Sequence, residues 1–460
     1  MFKRTISKKE PAKEEITKTA SSFQLVRGVK DILPEDQAYF FWIFDKVRSL
    51  ARSYGYDPIE TPIMEKTNLF VRGVGKQTDI VEKEMFSFVD QGGDHLTLRP
   101  EGTAAIARAY IEHGMLALPQ PVKFWYWGKM LRHERPQAGR LREFHQFGFE
   151  SLGSDDAMID AQIIFMTYKI IQELGLEVTI AINSIGSEEC RTQYKKVLVD
   201  YFRTKRSELS DLAKKQLIKN PLRILDSKEE NLLPIIAQAP QIFDYLNSAS
   251  REHFLKVMDY LDELDVPVVL KPTLVRGLDY YNRTVFEIWT SDEESSRQSA
   301  LGGGGRYDGL VEILGGRPTP AAGVAVGIER LVALLKEKEI KPPLDYQPDI
   351  FVAQLGEEAK RKSMLLFEQL RAADIKVAES LSKEGLKSQL EKADKLHVKY
   401  AIILGQKEIL DGTVMLRDME NGIQEVIDIN KIIPEIKKRL EKQLKIKAEQ
   451  VQENKEVNTI

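Results

Sequence analysis

Two strand-like stretches, VKFWYWGKML and FHQFGFE, lie on either side of an arginine-rich segment. The first is rich in aromatic residues, and the second alternates apolar with polar side chains. Alternate side chains of a strand point to opposite faces of a sheet. His145, Phe147 and Phe149 are therefore predicted to face a core, with Gln146 and Glu150 on the other side. The pattern predicts an antiparallel hairpin that has an apolar face and a polar pocket floor.

The stretch RHERPQAGRLREFHQFGFE holds four arginines and three glutamates in nineteen residues, 132–150. As an exposed loop it would be only a soluble turn, because exposed ion pairs add about 0–1 kcal/mol to stability. The whole chain has no excess of positive charge, since 67 Lys and Arg against 70 Asp and Glu give a net charge of −3. Binding to an anionic ligand must therefore use local patches, and arginine suits phosphate because its planar fork binds two oxygens at once.

The length of 460 residues predicts two or three domains, because one core does not grow to that size. No apolar run approaches the roughly 20 residues of a membrane span, and the first residues lack the apolar core of a signal peptide. We therefore expect no membrane association and a cytoplasmic location. Cys190 is the single cysteine, which excludes intramolecular disulfides and thiolate metal clusters. His133 and His145 lack partners at zinc-ligand spacing, so no metal site is predicted in the protein.

Composition shifts predict how the chain is divided. The predicted segments are a disordered N-terminal arm (1–22), a large α+β domain (23–336) with a helical insertion (186–270), a linker (337–348), a small α/β domain (349–433) and a charged tail (434–460). The prolines of IKPPLDYQPD mark the linker. After it, strands and helices alternate from DIFVAQL to TVMLRD, which predicts a mostly parallel sheet.

Two further segments place polar groups at bends of the chain. TLRPEGT is either an ordinary hairpin turn or a turn that projects Glu101 and Thr103 into a site. LVRGLDYYNRTVFE contains Arg276 and Tyr281, which cannot share a face of an unbroken strand because their numbers differ by an odd amount. Residues 277–279 must therefore turn the chain if both side chains serve one site.

Two glycine-rich segments need separate interpretation. GGGGRYDG is either a flexible turn or a place where the backbone approaches a flat ligand closely, and AVGIERL opens a helix with Arg330 near its first turn. GVGK lacks both the first glycine and the following Ser or Thr of a phosphate loop, and GGGGRYDG does not fit the spacing of a dinucleotide-binding strand–helix turn. If a nucleotide binds, antiparallel strands and arginines must hold it.

Together these segments resemble class II aminoacyl-tRNA synthetases and, among them, the histidyl-tRNA synthetase family. GYDPIETPI resembles motif 1, WYWGKMLRHERPQAGRLREFHQFGFE motif 2 and AVGIERL motif 3, while LVRGLDYY and GGGGRYDG resemble the two stretches peculiar to the histidine enzymes. The resemblance covers about residues 23–430, includes KNPLRILDSK, and departs at the two termini and at a fourth glycine where the family more often has Ala-Gly-Gly. It implies an α+β fold: a class II antiparallel-sheet catalytic core flanked by helices, a helical insertion, and a C-terminal α/β anticodon-binding domain.

The resemblance implies that L-histidine is activated by ATP to histidyl-adenylate, with release of pyrophosphate, and is then transferred to the 3′ end of its tRNA. ATP enters as a substrate, and Mg²⁺ accompanies the nucleotide. The family also implies a homodimer with Pro62 at its interface, tRNA contacts at the acceptor end and the anticodon, and no editing domain.

Residue roles follow from the same resemblance. Arg132 is expected to hold the α-phosphate, Arg330 the γ-phosphate, and Arg276 to bridge the carboxylate and the α-phosphate in the transition state. The residues implied to bind histidine are Glu101, Thr103 and Gln146 at the α-ammonium, Glu150 and Tyr281 at the imidazole, Tyr280 along the pocket wall, and Arg132 and Arg276. The residues implied to face ATP and the tRNA acceptor end are Arg135, Gln137, Arg140 and Arg142.

Two other functional classes were weighed against this one. The regulatory subunit of ATP phosphoribosyltransferase shares the core, but it lacks the anticodon domain and typically does not retain the RGLDYY sequence. This chain has both the domain and the sequence. A nucleic-acid-binding module without chemistry would leave Glu101, Gln146 and Glu150 unexplained at inward-facing positions. The sequence therefore favours the enzyme.

Overall fold

The computed structural model describes residues 23–76, 78–135, 139–291, 300–343, 347–380 and 385–442. The chain divides between Lys341 and Pro342 into two compact units. The predicted arm and most of the predicted tail lie outside the described residues. None of the described helices is long and apolar enough to cross a membrane.

The first unit is built from eleven strands and ten helices among its described residues. The strands are β1 (Asp57–Pro58), β2 (Met64–Lys66), β3 (Phe86–Val89), β4 (His95–Leu98), β5 (Val122–Leu131), β6 (Glu143–Leu152), β7 (Val178–Ser184), β8 (Val268–Leu270), β9 (Asn282–Thr290), β10 (Gly302–Arg306) and β11 (Ala321–Gly327). The helices are α1 (Pro34–Ser53), α2 (Thr67–Gly73), α3 (Thr103–Glu112), α4 (Ala157–Glu173), α5 (Glu188–Thr204), α6 (Asp211–Lys219), α7 (Leu233–Ala237), α8 (Ser248–Glu263), α9 (Leu310–Ile313) and α10 (Ile328–Glu337). A 3-10 turn, Pro221–Ile224, lies between α6 and α7.

Eight strands form one sheet in the order β1-β5-β6-β11-β10-β9-β7-β8. The six central strands, β5 to β7 in this order, are antiparallel to one another. At the two edges, β1 runs parallel to β5 and β8 runs parallel to β7. The β5–β6 ladder pairs Val122 with Leu152 and Leu131 with Glu143, which confirms the predicted hairpin. A second antiparallel sheet has the order β2-β4-β3.

The main sheet has an apolar core on each face. Phe147 and Phe149 of β6 are fully buried against side chains of α1, α4, α8 and α10, and the ring of His145 meets Phe40 of α1 edge-on at 5.2 Å. The opposite core is formed by residues of α2, α3 and α5 together with a group of tyrosines. The predicted division of β6 into a core face and a polar face is confirmed.

The region predicted as a helical insertion begins with four helices, α5 to α8, and ends in β8, which extends the main sheet. Phe254, Val257 and Leu261 of α8 are buried in the same core as Phe147. Its last helix and its strand therefore pack as part of the main fold.

The second unit contains one five-stranded sheet with the order β13-β12-β14-β15-β16. Its elements are β12 (Ile350–Gln354), α11 (Glu357–Ala372), β13 (Val377–Glu379), α12 (Leu386–Lys395), β14 (Tyr400–Leu404), α13 (Gln406–Asp411), β15 (Thr413–Asp418), β16 (Gln424–Asp428) and a helix over the described residues 432–442. Ile432 and Ile436 of that helix are fully buried in the core of the unit.

The prediction of a mostly parallel sheet is wrong for half of this sheet. Strands β13, β12 and β14 are parallel, but β14, β15 and β16 are antiparallel. Only residues 405–412 separate β14 from β15, and a parallel crossover needs a dozen residues or more. The TVMLRD strand must therefore return antiparallel to its neighbour.

Candidate active site

A cavity of about 640 Å³ opens in the first unit on the face of the sheet opposite to Phe147 and Phe149. That volume is typical of small-molecule sites. The predicted site residues that line it are Glu101, Thr103, Arg132, Arg140, Gln146, Arg276, Tyr280, Tyr281 and Arg330. The fold thus brings together residues from four separate segments of the sequence.

Three arginines are held in this cavity by contacts with neighbouring elements. Arg132, next after β5, donates from Nε to Pro100 O at 2.8 Å and lies 5.4 Å from the Phe144 ring centroid. Arg276 donates from Nη1 to Glu287 Oε1 at 2.7 Å. Arg330, in the first turn of α10, donates from Nε to Gly139 O at 3.2 Å and from Nη1 to Ala300 O at 2.5 Å. These contacts fix the guanidinium groups before any ligand arrives.

The arginines lie close enough to influence one another. Burial lowers the pKa of the Arg330 guanidinium, and the positive charges of Arg140, Arg132 and Arg276 lower it further, while the negative charge of Glu134 acts against them. Like charges raise the free energy of the empty site, so an anion in the cavity stabilises all four groups at once. The site is suited to a polyphosphate or to a carboxylate and a phosphate together.

Glu101 has a structural task that the sequence did not reveal. Its Oε2 accepts a hydrogen bond from Thr103 N at 2.7 Å and its Oε1 one from Ala104 N at 2.9 Å, so the carboxylate caps the start of α3. Burial raises the pKa of Glu101, and the two amide donors and Arg132 act against that rise. Glu101 nevertheless lines the cavity.

Glu150 lies beneath the cavity floor and does not line it. The side chain is fully buried: its Oε1 accepts from Thr103 Oγ1 at 2.7 Å and its Oε2 accepts from the Tyr307 hydroxyl. Burial raises the pKa of Glu150 to about 8, and these two donors oppose the rise. The carboxyl group therefore acts on the cavity through Thr103 and Tyr307.

Tyr280 and Tyr281 form one wall of the site, and Tyr307 packs behind them. The ring of Tyr280 lies 4.7 Å from that of Tyr281 and 5.6 Å from that of Tyr307, centroid to centroid. Burial raises the pKa of each phenol, so all three hydroxyl groups stay protonated and can donate hydrogen bonds. Such donors can recognise an aromatic nitrogen acceptor.

Glycines make room for these side chains. The stretch GGGG forms β10 rather than a turn, and a Cβ at Gly303 would lie 2.7 Å from Arg276 Nη1. A Cβ at Gly323 of β11 would collide with the Glu150 carboxylate, which pairs with it across the sheet. The space beside Gly148 of β6 is filled by the ring of Tyr126 from β5.

Gln146 is also flanked by glycines on both neighbouring strands, Gly128 and Gly327. Among the described residues, its buried Oε1 has no hydrogen-bond partner. An unsatisfied buried acceptor costs free energy, so a ligand donor at this position would be stabilising.

Some predicted residues lie elsewhere. Arg135 is exposed outside the cavity lining, and Arg142 turns away, donating to Glu134 O at 3.3 Å and to Arg27 O at 3.4 Å. Gln137 lies outside the described residues. These placements leave Arg140 as the described motif 2 loop arginine that reaches the cavity wall.

The sequence analysis missed several residues of the site. Glu287 lines the cavity and is the single charged residue inside the apolar stretch TVFEIW, while Tyr307, within GGGGRYDG, supports the site from behind by donating to Glu150. Asp226 and Lys228, from the KNPLRILDSK stretch, also line the cavity. A charge within an apolar strand is a signal that could have identified Glu287, but no local pattern indicates a loop that folds back from a helical region.

Arg306 anchors the chain next to Tyr307, which donates to the buried Glu150. The Arg306 side chain is fully buried and pairs with the Asp160 carboxylate of α4 and with Asp308 Oδ1 at 3.1 Å. With Arg306 fixed in this way, the next residue is directed toward Glu150. Across the described residues, no group of three His, Cys, Asp or Glu side chains is placed to hold a metal ion.

Comparisons with known proteins agree with this geometry. The family model described as histidyl-tRNA synthetase matches residues 28–331, and the anticodon-binding domain model matches residues 349–439. The chain is 45% identical over 419 residues to a histidine–tRNA ligase of Dehalococcoides mccartyi, covering 91% of this chain and 100% of the relative. It is 45% identical over 418 residues to that of Anoxybacillus flavithermus, covering 90% and 99%.

A solved structure adds the fold. The apo histidyl-tRNA synthetase of S. aureus superposes with a TM-score of 0.76 at 35% identity, covering 90% of this chain and 100% of that one. Family model, relatives and structure coincide over the cavity and over both units, and the chain belongs to the histidyl-tRNA synthetase family.

Proposed function

We propose that this chain is a histidine–tRNA ligase, which forms histidyl-adenylate from L-histidine and ATP and transfers histidine to the 3′ end of its tRNA. The observation that carries the proposal is the cavity itself. It combines mutually repelling arginines with a wall of protonated tyrosines and buried carboxyl groups. The arginines suit phosphate groups, and the tyrosines with the carboxyl groups suit a small cation that carries an aromatic ring.

The proposed reaction needs charge and position, not a protein nucleophile. The histidine carboxylate attacks the α-phosphorus in line, and pyrophosphate leaves from the opposite side. Two anions must approach each other, so Arg132 at the α-phosphate, Arg276 between the two groups and Arg330 at the γ-phosphate lower the barrier. Each preorganised donor of this kind is worth about 3–4 kcal/mol in catalysis.

The same cavity explains histidine selection in this proposal. Glu101, Thr103 and Gln146 accept the α-ammonium, while Tyr280 and Tyr281 form the wall beside the imidazole. Glu150 lies beneath the cavity lining, so a direct bond to the imidazole requires Thr103 or Tyr307 to move aside. Polar groups left unpaired by a wrong amino acid give discrimination of about 10⁴–10⁵, so no editing domain is needed.

Mg²⁺ is proposed to enter with the nucleotide. The carboxylates of Glu134 and Glu329 line the cavity close to Arg140 and Arg330, and oxygen ligands are those that Mg²⁺ prefers. When bound there, the ion would shield the negative charge of the departing pyrophosphate.

The remaining proposals concern partners. Arg135, Gln137, Arg140 and Arg142 are proposed to meet the tRNA acceptor end, and the second unit to contact the anticodon. A homodimer is proposed with its interface around Pro62, because Ile63, Met64, Phe88 and Val89 nearby are exposed apolar side chains, 42–55% accessible. Since charged tRNA serves translation, the cytoplasm is the proposed compartment.

The decisive test is exchange of labelled pyrophosphate into ATP by the purified protein with Mg²⁺ present. We expect exchange to depend on histidine and to be absent with each of the other amino acids. No histidine-dependent exchange by a folded protein would refute the proposal. The regulatory alternative predicts that outcome, but the match to the anticodon-binding model and the intact RGLDYY stretch favour the enzyme.

A further inference from the structure

The segment between β8 and β9 carries Arg276, Tyr280 and Tyr281, yet residues 272–281 belong to no described strand, and only Lys271 N at its start still donates to a strand, to Ile182 O of β7 at 2.9 Å. Its backbone groups therefore need other partners, because buried amides and carbonyls are rarely left unpaired. On one side Asn183 of β7 supplies them, donating from Nδ2 to Pro272 O at 3.1 Å and to Leu274 O at 3.0 Å. These two bonds hold only the first half of the segment.

The second half is held by two arginines from the helical region. Arg191 of α5 donates from Nη1 to Tyr281 O at 2.5 Å. Arg223, in the 3-10 turn after α6, pairs through Nη1 with Asp79 Oδ2 at 2.8 Å and directs Nη2 to Gly277 O at 3.5 Å. Both arginines thus bind carbonyls of the segment from outside the cavity.

Asp279 adds a side-chain anchor between these two carbonyls. Its backbone amide donates to Val74 O at 3.1 Å, and its carboxyl group fits so closely against Gly75 that a Cβ there would collide with it. Burial raises the pKa of Asp279, and the positive charges of Arg223, Lys195 and Arg191 oppose the rise. The segment is therefore enclosed by cations of the helical region while its other side faces the cavity.

From these contacts we propose that Arg191 and Arg223 are positioning residues for adenylate formation, holding the Arg276–Tyr281 segment in its active conformation from α5 and the Pro221–Ile224 turn. Neither residue itself lines the cavity. The inference rests on the proposed histidine activation. The helical region then contributes to amino-acid activation by holding the backbone carbonyls of Gly277 and Tyr281 in place.

The test replaces Arg191 by Leu, which keeps the bulk of the side chain and removes the donors. The matched control is Arg203→Leu on the same helix, since Arg203 is 68% exposed and pairs only with Asp200 at 3.4 Å among the described residues. In pyrophosphate exchange, Arg191→Leu is expected to raise KM for histidine and lower kcat, each about tenfold, because a misplacement of about 1 Å costs up to 10² in rate. KM for ATP is expected to stay within about twofold, since Arg132 and Arg330 are held by other elements.

The conservative variant separates positioning from general packing. Arg191→Lys keeps one donor and the charge and is expected to recover most of the activity lost in Arg191→Leu. A second readout needs no activity: hydrogen exchange of the peptide that covers residues 274–282 is expected to accelerate in Arg191→Leu but not in Arg203→Leu.

Two results would overturn the inference. One is a folded Arg191→Leu protein whose histidine KM, kcat and hydrogen exchange equal those of Arg203→Leu. The other is an equal loss toward ATP and histidine with a lowered Tm and no recovery in Arg191→Lys, which marks simple destabilisation. If Arg191→Leu does not fold, Arg223→Leu is judged by the same criteria. If the wild-type protein shows no histidine-dependent pyrophosphate exchange, the proposed function is refuted instead. Hydrogen exchange of residues 274–282 then still tests whether Arg191 anchors the segment.

Discussion

Arg276 is proposed to act when charge builds between two reacting anions. Its Nη1 is bonded to Glu287, its guanidinium lies 5.8 Å from the Tyr281 ring centroid, and its Nε has no partner among the described residues. We expect Arg276→His to lower kcat by about 10² or more with only a modest change in KM for histidine, because the lost interaction belongs to the transition state. Steady-state pyrophosphate exchange measures both constants. A large rise in KM at unchanged kcat would make Arg276 a ground-state binding residue.

Glu150 predicts a pH dependence of stability. Its pKa is raised by burial from 4.5 in the unfolded chain to about 8 in the folded one, so the folded protein binds the extra proton between these values. The stabilisation from this group is complete below the unfolded pKa and is lost as the pH rises through the folded pKa. Glu150→Gln stays neutral, and the Tm of the wild type should therefore fall relative to this variant between about pH 5 and about pH 9. Glu263 is exposed, so the Tm of Glu263→Gln should follow that of the wild type at every pH. If the wild type, Glu150→Gln and Glu263→Gln all have the same dependence of Tm on pH, Glu150 is not protonated in the folded protein.

At the scale of single elements, Gly303 of β10 leaves the space in which Arg276 lies. A Cβ at Gly303 would stand 2.6 Å from Phe286 O and 2.7 Å from Arg276 Nη1, and the carbonyl belongs to the paired backbone and cannot move aside. We expect Gly303→Ala to lower kcat about tenfold or more by displacing Arg276, since small misplacements are costly in rate. Gly309→Ala is the control because its nearest neighbour would be 4.0 Å away. Matching kinetics for the two variants would show that Gly303 serves packing alone.

The sequence predicted the elements with a local pattern and missed those defined by distant partners. The alternation in FHQFGFE was enough for β6 and for its core face, because strand geometry is periodic over two residues. GGGG has no side chains from which to predict a strand, and β10 forms because β9 and β11 supply its hydrogen bonds from either side. The burial of Glu150 likewise depends on Tyr307, 157 residues away along the chain. Long-range pairing of this kind leaves no periodic trace in the sequence.

For the whole molecule, the two units predict a separation of roles. Each has its own apolar core, and all the cavity residues belong to the first unit. A protein that ends at residue 341 is expected to keep pyrophosphate exchange within about tenfold of the full chain. Its rate of tRNA aminoacylation should fall much further, because the anticodon contacts proposed for the second unit are lost.

Size-exclusion chromatography and circular dichroism of the shortened protein establish that it is folded and in the same oligomeric state as the full chain. Equal loss of both activities in a folded fragment would show that the second unit contributes to adenylate chemistry.

The arginine cluster also affects how this enzyme must be measured. Four guanidinium groups that repel one another will attract whatever small anion the solution offers, and phosphate or sulfate fits the same planar forks as a nucleotide phosphate. Each such anion competes with ATP. Kinetic constants obtained in phosphate buffer would then understate the affinity for ATP, whereas a buffer of bulky zwitterions with chloride would come closer to the intrinsic value.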